Sequence, residues 1–206
     1  TGPPLRKRVR RPSPRLWLAG GWLAIVAVAA VFAPFVAPHD PLAQDLFFTR
    51  LPPFWMEGAE PGYWLGTDSL GRDVLSRIVY GARIALIVAF VAGTAACLLG
   101  AALGLAAGYF GGWTDRVICR VVDIWMAFPP VLFAILLVAV LGTGLLSVIV
   151  AVAVIDWTRF CRVVRAEAMQ QRAMEYVDSA RVAGFSRWRT LRSEVLPNVM
   201  PAIVVL

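Results

Sequence analysis

Few residues in this chain could do chemistry, and their spacing suits binding better than catalysis. Asp68 and Asp73 lie five apart beside Arg72, a set that would hold a cation or a polar ligand. Asp156 and Arg159 lie three apart at the end of a long neutral run, and Asp123 stands just before that run. Paired on one helix face, Asp156 and Arg159 would neutralise each other. Unpaired, they would line a water-filled pathway, the use to which intramembrane charges are put. His39, the only histidine, follows Pro38 and reads as solvated; Lys7 is the only lysine, and no glycine-rich phosphate loop ending in Lys is present. Cys97, Cys119 and Cys161 lie in or beside apolar runs without C-x-x-C spacing, so they read as small hydrophobes rather than metal ligands or bridges. The expectation is no catalytic residue, no metal site and no cofactor held by this chain.

The elements that position these residues are expected to be membrane helices. Of 206 residues 59% are hydrophobic and only 16% charged, with mean hydropathy +0.71, far from a soluble domain. Ile84–Thr114 and Ile124–Ile155 contain no charge at all, and a bilayer crossing needs about 20 apolar residues. The net charge of +7 sits at one end and near the other, outside these runs, which argues for orientation in a membrane and against nucleic acid. The fold class expected is therefore all-α, a polytopic transmembrane helix bundle.

Walking the chain, residues 1–15 form a basic tail broken by four prolines, and 16–36 a first span too long for a cleaved signal peptide. Residues 37–77 form an acidic loop with interfacial aromatics, and 83–107 a second span, followed by a short turn at 111–120. The neutral run 124–155 would make one helix of about 48 Å, too long for a core of roughly 30 Å. Gly142-Thr143-Gly144 splits it, giving spans at 121–141 and 145–164, with Arg159, Arg162 and Arg165 snorkelling to the interface. Residues 165–196 form a basic loop, and 197–206 begin a fifth span too short to cross; the chain reads as a piece of a longer polypeptide. Six basic residues in the tail and eight arginines in 159–194, against three in 37–77, put the N-terminus and the 165–196 loop inside and the acidic loop outside.

Three local patterns refine this reading. Small residues recur every fourth position through Ala92, Ala96, Gly100, Gly104, Gly108 and Gly112, a stripe where another helix can approach closely. Leu70, Val74, Leu75, Ile78 and Val79 share one face of a short interfacial helix, with Thr67 or Asp68 as its N-cap. Between 172 and 196, Met174, Val177, Ala180 and Ala183 step at helical spacing up to Gly184; Phe185, Trp188, Leu191 and Val195 repeat the pattern before Pro197. Gly184 suits a helix C-cap, so two short amphipathic helices meet there, either packed on their own bundle or docked in a partner's groove.

This last segment resembles the cytoplasmic "EAA" loop of permease subunits of bacterial ABC importers: E-A-A, three residues, Gly, nine residues, then I-x-L-P. Asp178-Ser179-Ala180, Gly184 and Leu196-Pro197 stand at that spacing, with Asp178 for Glu, Ser179 for Ala and Glu194 in place of Ile. Further stretches resemble the second, "C"-type permeases of the oligopeptide/dipeptide/nickel subgroup. They are Leu65–Arg77, with Gly66, Thr67, Asp68, Gly71, Arg72 and Asp73 as an outer-loop signature, then Tyr80–Arg83, Gly108–Arg116 and Leu196-Pro197-Asn198.

The resemblance implies a subunit of six helices, about four complete here, with 78–206 as permease core. It also implies a multi-pass protein of the bacterial cytoplasmic membrane. A second permease, two ATP-binding subunits carrying ATP and Mg, an extracytoplasmic substrate-binding protein and membrane lipid are its implied partners. Asp178, Ser179, Ala180, Gly184, Phe185, Trp188, Leu196 and Pro197 would couple to the ATPase, and Gly100, Gly104, Gly108 and Gly112 would pack helices. Peptides are the implied cargo, with nickel or another small solute as the alternative; from a different class, a non-transporting membrane scaffold would use the same amphipathic loop.

Overall fold

The computed structural model describes Pro14–Val205, so the basic tail at 1–15 lies almost wholly outside the described residues. Every regular element among them is helical, and the chain forms two compact units, one up to Ile87 and one from Val88.

In the first unit, α1 (Pro14–Val31) and α2 (Ala33–Val36) meet at Phe32, because Pro34 has no N–H to continue the ladder. An irregular segment then runs to the start of α3 (Val74–Phe110), where Asp73 rather than Thr67 or Asp68 caps the helix: its carboxylate accepts the Ser76 N–H at 2.9 Å. The expected apolar face is buried only in part: Val79 is buried and Val74 and Leu75 half-buried, but Leu70 and Ile78 are exposed, while the polar Asp73 and Ser76 are buried.

No break separates the interfacial helix from the expected span at 83–107. α3 is one helix of 37 residues, about 56 Å long, and is long and apolar enough to cross a membrane. The expected turn at 111–120 is instead helical, within α4 (Gly112–Met126). The expected span at 121–141 is likewise not one helix. α4 and α5 (Pro130–Leu141) bend by 85° where Phe128 and Pro129, each preceding a proline, are driven out of helical geometry. Taken as one broken span, this pair also passes the length and composition test.

Gly142, at φ +85°, ends α5, and α6 (Leu145–Arg172) begins after the Gly142-Thr143-Gly144 turn. α6 continues eight residues past the expected end of the span at 164, so the 165–196 loop is largely helix: the end of α6, then α7 (Glu175–Val182) and α8 (Arg187–Thr190). One turn of π-helix over Leu191–Val195 leads without interruption into α9 (Leu196–Val205). Pro197 therefore does not terminate the second helix of the pair; it lies in the first turn of α9.

The second unit has two cores. Tyr109, Val164, Val177, Leu191, Val195 and Val199 tie α7 and the α8–α9 run to α3 and α6. Ala96, Val122, Trp157 and Cys161 join α3, α4 and α6. Leu98, Leu132, Val140 and Leu146 are exposed on the outside of these helices.

Candidate functional site

The segment from Glu175 to Asn198 is built around Gly184, whose φ of +86° only glycine adopts without strain. The Phe185 N–H donates to the Ala180 carbonyl at 3.1 Å and the Gly184 N–H to that of Arg181 at 3.0 Å, the paired bonds of a Schellman stop. Ser186 then caps α8 by accepting the Arg189 N–H at 3.3 Å. Two helices thus meet at a fixed corner of four residues, 183–186.

One side of this corner is anchored. Val177, Thr190 and Val195 are fully buried, and Phe110 packs edge-on against Trp188 at 5.2 Å. Arg181 lies over the Tyr109 ring at 5.9 Å and Arg189 over Phe185 at 4.1 Å. The other side is open: Val182 is 90% exposed, and Trp188, although its ring meets Phe110, is still 71% exposed, flanked by Arg187 and Arg192. Asp178 is exposed and pairs with Arg181 at 3.2 Å, while the Ser179 hydroxyl donates to the Glu175 carbonyl. Ala180 and Phe185 are half-buried at the corner; Leu196 is half-buried and Pro197 exposed, further along the second helix.

Gly100, Gly104 and Gly108 line one seam between α3 and α6. A Cβ at these positions would lie 2.3 Å from the Trp157 carbonyl oxygen, 2.6 Å from that of Cys161 and 2.6 Å from that of Arg165, respectively. The close neighbour is thus a helix of the same chain. Gly112 is not part of this seam: α3 ends at Phe110, Gly111 turns at φ +65°, and nothing lies within 4 Å of a Cβ at Gly112.

The outer-loop signature, wholly inside the first unit, holds the loop's own shape. Thr67 Oγ1 accepts the Leu51 N–H at 2.9 Å and donates to the Phe48 carbonyl. Asp68 accepts the N–H groups of Leu70 and Arg72, pairs with the Arg72 guanidinium at 2.8 Å and also meets Arg77. Burial works against ionisation of Asp68, but the Arg72 and Leu70 amides and the Arg72 guanidinium outweigh it and hold the carboxyl down at about 2. Gly66 and Gly71, at φ +74° and +73°, let the Leu51 and Asp45 carbonyls come where a Cβ would stand. Asp73 is buried and takes the Ser76 hydroxyl at 2.5 Å, so the two aspartates do not converge on one ligand. His39 is half-buried rather than solvated: its ring stacks on Tyr63 at 4.6 Å and its backbone N–H donates to Ser76 Oγ.

Two corrections concern charge. Arg165 does not snorkel outward; it forms a two-pronged pair with Asp115 across α4 and α6, one prong at 2.8 Å. Asp156 and Arg159 do not pair with each other, and among the described residues neither belongs to an ion pair. The Asp115–Arg165 contact joins residues fifty apart, a distance at which no local pattern signals a partner.

Residues 100–206 match the family described as the binding-protein-dependent transport system inner membrane component. The chain belongs to this family. Residues 12–53 match the N-terminal transmembrane domain of oligopeptide transport permease C. The chain is 40% identical to the dipeptide transport system permease protein of Haemophilus influenzae over 184 residues, 89% of this chain and 62% of that protein. It is 38% identical to the di/tripeptide permease of Pseudomonas aeruginosa, over 89% of this chain and 61% of that protein. It is also 38% identical to the glutathione permease of Pectobacterium atrosepticum, over 97% of this chain and 68% of that protein. The chain thus spans about six-tenths to two-thirds of the length of these relatives.

Proposed function

We propose that this chain is the membrane part of a C-type permease in an ATP-driven importer of short peptides. It pairs with a second permease, receives cargo from an extracytoplasmic binding protein and docks one of two ATPase subunits, which hold ATP and Mg. α1–α2, α3, the broken α4–α5 pair and α6 serve as four spans, with the N-terminus and the Glu175–Asn198 segment in the cytoplasm and the 37–77 loop outside. The relatives named for dipeptides, di/tripeptides and glutathione share one cargo chemistry, a peptide of two or three residues.

The observation that carries the reading is the helical corner at Gly184. It is locked to the bundle by Val177, Leu191 and Val195, yet it presents Val182 and Trp188 outward. An aliphatic and an indole side chain on a stiff, basic corner suit insertion into a partner's groove. ATPase closure would then move α6 and α9 as one body, since coupling needs a rigid element with two arrangements.

Gly184→Val tests this without touching a neighbour, because nothing lies within 4 Å of a Cβ there. A β-branched residue at φ +86° is strained by roughly 1–3 kcal/mol, which opens the corner. The expected phenotype is normal membrane level with lost ATPase-subunit recovery and no uptake. Gly184→Asn, which tolerates this conformation, should retain function. Asp178→Lys, which breaks the pair with Arg181, should weaken docking. Full ATPase binding and peptide-stimulated hydrolysis in Gly184→Val and Asp178→Lys together would refute the docking role, and a scaffold would show no peptide stimulation in the parent protein.

A further inference from the structure

The 85° break at Phe128-Pro129-Pro130 leaves a cavity of about 430 Å³ between the α4–α5 corner and α6. Its walls are mainly apolar: Trp125, Phe128 and Phe133, with the Trp125 indole pinned by its N–H donating to the Val154 carbonyl at 2.8 Å. Three charged side chains enter it from α6, Asp156, Arg159 and Arg162. Among the described residues none of the three forms an ion pair; Arg162 hydrogen-bonds to the Met126 sulfur, at 3.4 Å, and also lines a smaller pocket with Asp123, with which it does not pair.

We propose that this cavity is a subsite for the short peptide on its way through the membrane, with Asp156 taking the α-ammonium and Arg159 with Arg162 taking the α-carboxylate. This rests on the importer reading above and names residues for it.

The geometry and the cost of charge both point there. At 1.5 Å per residue, Asp156 lies about 17 Å and Arg159 about 21 Å along α6 from Leu145, deep within a core of roughly 30 Å. Ionisable groups at that depth are expensive unless something neutralises them. Along the same axis Asp156 is about 4.5 Å from Arg159 and about 9 Å from Arg162, and an extended dipeptide spans roughly 7 Å. A zwitterion laid along α6 therefore sets its positive end on the carboxylate and its negative end between the guanidiniums. Its side chains face Trp125, Phe128 and Phe133, which accept many apolar or aromatic shapes without hydrogen-bond readout. The volume lies in the range of small-ligand sites. Charge fixes the termini and the apolar wall tolerates the sequence, which is what a carrier of varied short peptides requires.

The test uses the complete importer, purified with both permeases and both ATPase subunits. Alanyl-azidophenylalanine is photolysed in it and the labelled peptides are mapped. Label is expected on 125–133 and 156–163. Excess Ala-Phe should compete it away, and acetyl-Ala-Phe-amide, which lacks both charges, should not. Asp156→Asn and Arg159→Gln should each reduce label at least tenfold. Label only elsewhere, equal competition by the blocked peptide, or undiminished label in both variants overturns the subsite. Uptake of Ala-Phe by the unaltered importer in proteoliposomes is measured in parallel. If uptake is normal and the cavity is unlabelled, the subsite alone falls; if no peptide is taken up, the importer reading falls with it.

Discussion

Replacing Gly100 by alanine should destabilise the bundle, whereas the same change at Gly93, in the same helix, should not. A Cβ at Gly100 would stand 2.3 Å from the Trp157 carbonyl oxygen, 2.6 Å from Phe160 Cβ and 2.9 Å from the Cys161 nitrogen. Two of these atoms are backbone, so no side-chain rotation relieves the contact. Ordinary contact begins near 3.4 Å, so α6 must retreat by about 1.1 Å (3.4 minus 2.3). Nothing lies within 4 Å of a Cβ at Gly93. Both substitutions gain the same helix propensity, about 1 kcal/mol, so their difference isolates the clash. Overpacking of this kind costs about 1–3 kcal/mol, and at about 2–4 °C per kcal/mol the two variants should differ in melting temperature by roughly 2–12 °C. The assay is thermal unfolding of the full-length permease in nanodiscs, followed by tryptophan fluorescence. Gly104→Ala and Gly108→Ala, with contacts at 2.6 Å, should fall with Gly100→Ala. Equal melting temperatures for Gly93→Ala and Gly100→Ala would show that α3 and α6 do not pack at this seam.

Other expectations follow from the same contacts. Asp68 has its carboxyl held at about 2 against an ordinary 3.8, so its contribution to loop stability is complete above about pH 4 and is lost as pH falls through 2. Pepsin cleavage within 37–77 should therefore rise between pH 4 and 2 in the parent protein, and Asp68→Asn should already be cleaved at pH 4. Gly71→Ala, at φ +73° with a Cβ 1.7 Å from the Asp45 carbonyl oxygen, should unfold the outer loop, which protease sensitivity reads. A double-mutant cycle on Asp115→Asn and Arg165→Met should give a coupling of about 0.5–3 kcal/mol, and zero coupling would deny the pair. Single cysteines at Glu57 and Arg187, in a background without the native three, should react with an impermeant reagent from opposite sides of the membrane.

The parts of this fold visible in the sequence are those that depend on neighbours a few residues away. Gly142-Thr143-Gly144 separates α5 from α6, and Gly184 stops α7, because a glycine turn is decided by its own backbone. The four-residue repeat marks the face of α3 that meets α6 as far as Gly108. It misleads at Gly112, since a repeat in sequence continues after the helix has ended at Phe110. Pro197 misleads in the opposite direction. A proline in the first turn of a helix costs little, and the π-turn at Leu191–Val195 joins α8 to α9 where a stop is expected.

The charged residues show why spacing alone does not settle a partner. Asp156 and Arg159 have the separation of a helix-face pair, and Arg165 sits where a side chain can snorkel. What decides between these fates is the company other elements bring. Asp115 on α4 reaches Arg165 and neutralises it. Asp123, the other acid of α4, lines a pocket with Arg162 but forms no ion pair with it or with Arg159, and past it the helix breaks at Phe128-Pro129 and turns by 85° into α5, which carries no charge. The proline break opens a cavity, and the unpaired charges of α6 line it at the same level. In water that combination would be unremarkable; inside a bilayer the charge cost favours an occupant that brings both signs.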